Sequence, residues 1–134
     1  MSELMLHHVS IVVTDLERAL AFYRDLLGIA QIERPAIPVP GAWLACGDRQ
    51  IHLIVHPGGT FRTKARIDIA DAHFAFRTDD FDGVVDKLVR HGFRESAAED
   101  DPKRLLVVRK SVAGFQQLYM LDPDRNIVEI NAAP

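Results

Sequence analysis

A histidine recurs at the same position in two copies of one sequence pattern. The first copy is HHVSIVVTDLERALAFYRDLLG, near the start of the chain, and the second is AHFAFRTDDFDGVVDKLVRHG, in its middle. Superposing His8 on His73 also superposes Asp15 on Asp80, because both pairs are 65 residues apart (73 − 8 and 80 − 15). Agreement at two separate positions indicates an internal duplication that places a side chain able to bind metal at the same point of each copy.

Each copy leads to a short apolar run that carries one more side chain of this type. His52 lies in IHLI and Glu129 lies in IVEI. Taken alone, a strand histidine is more often packed or hydrogen-bonded, and a strand glutamate can form an ion pair or face solvent. Four such residues at matching places are harder to dismiss. Together they predict one metal site built from two half-sites, with the ligands His8, His52, His73 and Glu129.

The donor atoms of this set limit the ion that it would take. Imidazole and carboxylate ligands suit a divalent Ni, Zn, Co, Mn or Fe ion. A thiolate-rich metal site is not expected, because Cys46 is the one cysteine in the chain. A single cysteine also excludes an internal disulfide and suits a reducing compartment.

Size and composition are those of an ordinary globular protein. With 134 residues, 48% of them hydrophobic and 26% charged, the sequence predicts a single domain over residues 1–134. The formal net charge of −3 gives no electrostatic case for a nucleic-acid or anionic-membrane partner. No apolar run approaches the roughly 20 residues of a membrane span, and the first residues are too polar for a signal peptide. We therefore expect a cytoplasmic protein whose partner is a small molecule.

The first module, about residues 5–56, has the pattern βαβββ. A run rich in β-branched residues over 6–13 predicts a strand, and Thr14 or Asp15 can cap the helix that follows. Gly28 can end that helix in the left-handed conformation. The helix's apolar stripe is Leu16, Ala19, Leu20 and Tyr23. Three strands are expected around 29–34, 42–46 and 50–56.

The second module, about residues 71–132, repeats this order after a linker at about 57–70. A strand over 72–78 precedes a helix that Asp79 or Asp80 can cap and Gly92 can end, and the last two strands are expected over 117–121 and 126–131. The spacing between the two ligand-type residues is 56 here (129 − 73), against 44 in the first module (52 − 8). We expect the extra dozen residues within 97–115, where 105–108 could be a strand or a helical turn.

These motifs together resemble the vicinal oxygen chelate superfamily, which includes glyoxalase I, bleomycin-resistance proteins and extradiol dioxygenases. The resemblance covers nearly the whole chain and rests on the two duplicated segments, on IHLI and on LDPDRNIVEI. It is strongest to glyoxalase I-like proteins. It implies an α+β fold in which two tandem βαβββ modules form a curled mixed sheet around a metal cavity.

The resemblance also implies which residues hold the ion. In this superfamily the first and fourth strands of each module supply the ligands, and those positions are His8, His52, His73 and Glu129. Strand parity would point these side chains into the cavity, while their sequence neighbours pack under the helices. Relatives commonly form homodimers, and some complete each cavity with strands from both chains, so a homodimer is expected.

The chemistry implied is that of a divalent-metal-dependent lyase or isomerase. Its substrate presents vicinal oxygens to the ion and reacts through a metal-stabilised enolate. Four protein ligands favour this branch, and Glu129 is then the expected general base, with a role as a pure ligand as the alternative.

Two other functions fit the same residues. An extradiol dioxygenase would hold Fe(II) with His8, His73 and Glu129, and would use His52 and Tyr119 as acid–base groups. Tyr119 precedes the glutamate by ten residues (129 − 119), close to the place of the family's tyrosine, although a core aromatic is its commoner fate. The third function is a non-catalytic protein that binds and sequesters a drug, which usually lacks the ligand set.

The turn before the last predicted strand departs from the family pattern. It reads DPDR where relatives usually have DPDG. A positive φ is unfavourable for arginine, so the sequence predicts that Asn126 rather than Arg125 adopts the left-handed conformation.

Overall fold

The computed structural model describes residues 2–134. The chain divides into two compact units, Met1–Phe61 and Arg62–Pro134. Unit 1 contains β1 (His8–Val13), α1 (Leu16–Leu20), β2 (Ala30–Ile32), β3 (Gly41–Cys46) and β4 (Arg49–Val55). Unit 2 contains β5 (His73–Thr78), α2 (Phe81–Arg90), β6 (Leu106–Val108), β7 (Gln117–Leu121) and β8 (Ile127–Ala132). Each unit therefore has the βαβββ order predicted from the sequence.

Both units form a four-stranded mixed sheet of the same topology. The strand orders are β1-β4-β3-β2 and β5-β8-β7-β6. In each, the first strand runs parallel to the fourth, and the other neighbours are antiparallel. The α+β class and the tandem modules are confirmed, and the first and fourth strands of each unit lie side by side.

The helices begin and end at the residues that the sequence indicates. Asp15 accepts a hydrogen bond from the backbone N–H of Arg18, and Asp80 accepts one from that of Gly83, both at 3.1 Å. Gly28 and Gly92 follow the helices with φ of 75° and 96°, which glycine adopts without steric cost. One feature was not predicted from the sequence. The helix α1 continues as a π-helical segment over Ala21–Leu26.

The longer second module owes its length to a segment before β6. Gly28 precedes β2 by two residues, whereas Gly92 precedes β6 by 14. The β2–β3 and β6–β7 loops both have eight residues, whereas the β3–β4 loop has two and the β7–β8 loop has five. Most of the extra length therefore lies between Gly92 and β6, overlapping the predicted 97–115 range, and Leu106–Val108 of the 105–108 run form a strand. Arg104 donates hydrogen bonds to the backbone carbonyls of Glu95 and Ala97, so the two ends of this insertion are bonded to each other.

The prediction for the last turn is wrong. Arg125, not Asn126, has the positive φ, 67°. The reason is the hydrogen bonding around Asp122, whose Oδ1 accepts the backbone N–H groups of Asp124 and Asn126, both at 2.8 Å. Asn126 also donates its side-chain amide to Asp122. These hydrogen bonds hold Asn126 in the turn, so Arg125 adopts the left-handed conformation, at a cost of roughly 1–2 kcal/mol.

Close approach of two strands makes Gly41 a sensitive position. A Cβ added there would lie 2.2 Å from the backbone oxygen of Leu53, which the β3–β4 pairing holds in place. We expect Gly41→Ala to lower the free energy of unfolding by about 2 kcal/mol, as overpacking typically does. Equilibrium denaturation measures this. Gly58→Ala is the control, because its Cβ would meet only the movable ring of His56. Equal effects of the two substitutions would contradict the strand-contact explanation.

Candidate metal centre

Strand register places the four predicted ligands at equivalent points of the two sheets. Ser10 is opposite His52 in unit 1, and Ala75 is opposite Glu129 in unit 2. Each first-strand histidine lies two residues before that pairing, on the same face of its sheet. The sheets thus bring His8 beside His52, and His73 beside Glu129.

In unit 2 the two side chains are arranged as ligands of one ion would be. His73 Nε2 lies 3.3 Å from Glu129 Oε1. Two atoms that each bind an ion at about 2.1 Å are separated by roughly 3.0–3.4 Å, so this distance fits. His73 Nδ1 lies 2.8 Å from the backbone oxygen of Asp71. A bond from Nδ1–H to a carbonyl is typical of metal-binding histidines, because it leaves Nε2 as the free donor atom. The same pair would form a salt bridge when His73 is protonated.

The carboxylate of Glu129 is buried, with 6% of the residue exposed, and it is held from one side. Its Oε2 accepts a hydrogen bond from the amide of Asn131 at 2.8 Å and a longer one from Gln117 at 3.4 Å. Asn131 in turn accepts from Arg77 Nε at 2.7 Å. Oε2 is therefore anchored while Oε1 faces His73. Such outer contacts orient a ligand carboxylate.

Tyr119 completes this group. It pairs with Glu129 across β7 and β8, and its ring meets that of His73 edge to face at 5.6 Å. Burial, and then the negative charge and hydrogen bond of Glu129, raise the pKa of the Tyr119 phenol. The phenol is therefore protonated at neutral pH and donates to the carboxylate. Tyr119 therefore lies beside both His73 and Glu129.

In unit 1 the two histidines touch but are not arranged as ligands. The rings of His8 and His52 are stacked, with centroids 3.9 Å apart and planes 16° apart. Trp43 stacks on His52 as well, at 4.1 Å and 3°. Because β4 lies between β1 and β3, these two rings cover opposite faces of His52. Trp43 occupies in unit 1 the register position that Tyr119 occupies in unit 2.

One ring nitrogen of His52 and one of His8 also have partners. His52 Nε2 lies 2.8 Å from Gln50 Oε1, and His8 Nδ1 lies 2.9 Å from His7 Nδ1. Because the stacked rings are nearly parallel, their in-plane lone pairs do not converge on one point, so joint ligation requires the His8 ring to turn away from the face of His52. The pKa of His52 is lowered, first by burial and then by the charges of His8, His7 and Arg34. This favours the neutral imidazole, which is the form that binds metal.

Within residues 2–134, no three ligand-type side chains stand close enough to hold an ion between them. The structure thus presents two pairs, one in each unit. Other histidines have backbone partners, since His56 bonds Gly59 and His91 bonds Lys87. A cavity of about 220 Å³ in unit 2 is lined by different residues: Arg66, Ile67, Asp68, Glu99, Arg104 and Leu106.

Three residues that hold or support Glu129 were missed from the sequence, namely Arg77, Gln117 and Asn131. The available signal was strand parity. Asn131 lies two residues after Glu129, and Gln117 two before Tyr119, so they share one face of the sheet. Polar residues repeated at that spacing beside a candidate ligand would have indicated a supporting network.

We expect Asn131→Ala to weaken metal binding about tenfold, the lower end for the loss of an outer-shell partner. The substitution removes the 2.8 Å bond to Glu129 and leaves Arg77 Nε without its acceptor. Isothermal titration with Zn²⁺ measures the change. Gln31→Ala, which removes an exposed amide bonded to Arg24 in unit 1, is the control. An unchanged affinity in Asn131→Ala would show that Glu129 needs no such support.

Comparison with known proteins agrees with this architecture. Residues 5–130 match the family model described as Glyoxalase/Bleomycin resistance protein/Dioxygenase superfamily. Glyoxylase I 4 of Arabidopsis thaliana is 31% identical over 127 residues, covering 93% of this chain and 68% of that protein.

Solved structures share the fold at lower identity. A Bacillus anthracis protein assigned to the glyoxalase family has a TM-score of 0.76 at 23% identity, with both chains covered completely. A lactoylglutathione lyase from Agrobacterium tumefaciens has a TM-score of 0.69 at 21% identity, covering 98% of this chain and 96% of that one. None of the helices described in residues 2–134 is long and apolar enough to cross a bilayer. The match over residues 5–130 and the identity to the plant protein establish that the chain belongs to the glyoxalase, bleomycin resistance protein and dioxygenase superfamily.

Proposed function

We propose that the protein is a divalent-metal-dependent lyase or isomerase of the glyoxalase I-like type. The main support for the proposal is the His73–Glu129 pair. His73 Nδ1 is hydrogen-bonded to a backbone carbonyl, and Glu129 Oε2 accepts a hydrogen bond from the amide of Asn131. The donor atoms left over, Nε2 and Oε1, face each other at 3.3 Å. Similarity to Glyoxylase I 4 and to the fold of a lactoylglutathione lyase supports the same class.

The proposed ligands are His8, His52, His73 and Glu129. The imidazole and carboxylate donors fit Ni, Zn, Co, Mn or Fe. Convergence of the two pairs on one ion is part of the proposal, either within one chain or between two chains of a homodimer. A bound divalent ion supplies Lewis-acid polarisation of two adjacent substrate oxygens.

Glu129 is the proposed base. Asn131 and Gln117 hold Oε2, so Oε1 would serve as the ligand atom and, when released from the ion, as the atom that takes a proton from a substrate carbon. The Tyr119 phenol donates a hydrogen bond to the same carboxylate. A carboxylate fixed in this way returns the proton to a neighbouring carbon without losing its position.

A second candidate function, ring cleavage by an extradiol dioxygenase, is favoured by one observation. Tyr119 contacts both His73 and Glu129, as an acid–base tyrosine beside an iron site would. In that case His52 is the second acid–base group rather than a ligand. The third function, binding without chemistry, is favoured by the stacked and engaged rings of His8 and His52.

Metal content and turnover of protein purified without a tag separate the three. Bound Ni, Zn, Co or Mn, with turnover of the hemithioacetal of methylglyoxal and glutathione, is the expected result for a glyoxalase. Turnover of another vicinal-oxygen substrate would keep the lyase or isomerase class and remove that label. Bound iron with a yellow product from catechol and oxygen would establish the dioxygenase. Metal-free protein that binds ligand without turnover would establish sequestration.

A further inference from the structure

Arg34 lies on the same sheet face as the unit 1 histidines. It follows β2, whose Ile32 pairs with Trp43, and Trp43 pairs with His52 on the next strand. Arg34 is two residues beyond Ile32, and Gly41 is two before Trp43, so strand parity puts both on the His52 side of the sheet. The Arg34 charge is one of those that act on His52.

The guanidinium of Arg34 occupies the space of a missing side chain. Its Nη2 would lie 3.0 Å from a Cβ at Gly41, and its central carbon 3.3 Å. A side chain at position 41 would require the guanidinium to move by a few tenths of an ångström. Arg34 Nη2 donates to the backbone oxygen of Val39 at 2.7 Å, which fixes the group against the β2–β3 hairpin.

One donor of this fixed cation is unsatisfied. Arg34 Nε is buried and has no hydrogen-bond acceptor among the described residues. Leaving a buried donor of a charged group unpaired is unfavourable, and such groups usually have a partner. The side chain as a whole is half-buried rather than enclosed, so part of it is open to solvent.

We propose that Arg34 binds an anionic group of the substrate, a carboxylate or a phosphate. This inference rests on the proposed function, because it makes the substrate an anion that also presents vicinal oxygens to the ion near His52. Guanidinium recognises both anion types through paired N–H donors. The competing role for Arg34 is structural, closing the hairpin through Val39 alone.

Metal-free protein tests anion binding independently of the metal site. The Arg34 Nε–H signal is assigned in ¹⁵N spectra by its loss in Arg34→Lys and Arg34→Gln, and is then followed during titration with sodium phosphate, with acetate and with chloride at matched ionic strength. We expect a saturable shift with phosphate or acetate and none with chloride. Arg49→Gln, which removes a surface cation of β4 paired with Asp48, should leave the shift unchanged. No shift, or an equal shift with chloride, would overturn the proposal.

A pair of chelating ligands tests the connection to the ion. Catechol and 3,4-dihydroxybenzoate present the same vicinal oxygens, but only the second carries a carboxylate. In Zn²⁺-loaded protein we expect the carboxylated ligand to bind about tenfold more tightly, and Arg34→Gln to remove that preference. Equal affinities in the wild type, or a preference that survives Arg34→Gln, would overturn the substrate inference. If neither ligand binds while phosphate still shifts Arg34 in the metal-free protein, the metal-dependent function fails and the anion site stands.

Discussion

Glu129→Gln is expected to lower the affinity for a divalent ion by about 100-fold or more. Loss of an outer-shell partner alone typically costs 10–100-fold, and this substitution removes the charge of a proposed ligand. The amide has nearly the shape of the carboxylate, so packing around the buried side chain should persist. Titration of the metal-free protein with Zn²⁺, followed calorimetrically, gives the change.

The same variant separates the two roles of Glu129. A protein that keeps its ion but loses turnover would make Glu129 the base and not an essential ligand. One that keeps both would contradict every role proposed for it. Glu95→Gln is the matched control in unit 2, because Glu95 forms a surface ion pair with Arg109 away from the His73–Glu129 pair. Its metal affinity should be that of the wild type.

His52→Ala is expected to have two effects from one substitution. Because His52 is a proposed ligand, its replacement by alanine should lower the affinity for the divalent ion by about 100-fold or more, by the same reasoning. As a buried ring between His8 and Trp43, it should also contribute to stability, with a loss of about 1–3 kcal/mol. Zn²⁺ titration and urea denaturation measure the two effects separately.

His56→Ala is the control for this experiment. His56 lies four residues along the chain from His52, and its Nδ1 bonds the backbone of Gly59 rather than another imidazole. We expect wild-type metal affinity in this variant. If His52→Ala reduces stability but leaves metal affinity unchanged, His52 is an aromatic core residue of unit 1, and the four-ligand set is wrong.

Much of the fold was predictable because local chemistry and global architecture agree. Asp15 and Asp80 cap helices, and Gly28 and Gly92 end them, because few other residues satisfy those backbone positions. The duplication then predicted that the two units would share one topology. For the site, the presence of two ligand-type residues in each copy of the duplicated pattern predicted that His73 and Glu129 belong to one half-site.

The features that escaped prediction depend on contacts between distant residues. The strained φ of Arg125 follows from hydrogen bonds that converge on Asp122, which propensity does not reveal. The π-helical segment after α1 is a matter of packing and backbone hydrogen bonding rather than of residue type. The stacking of His8 on His52 depends on which rotamers the rings of neighbouring strands adopt, and parity fixes only the face.

The proposed metal centre requires side chains from both units to bind one ion, and the fluorescence of Trp43 can test this. It is the single tryptophan of the chain, and it stacks on His52 in unit 1. Binding of Co²⁺ to His52 should therefore quench the fluorescence of Trp43. His73→Ala removes a proposed ligand that belongs to unit 2 and leaves the environment of Trp43 within unit 1 intact.

We predict saturable quenching in the wild type, with one Co²⁺ per site, and a midpoint shifted at least about tenfold to higher concentration in His73→Ala. That result requires a residue of unit 2 to contribute to the ion sensed in unit 1. Quenching in His73→Ala with the wild-type midpoint would show that the two pairs act separately, and would contradict a shared metal centre.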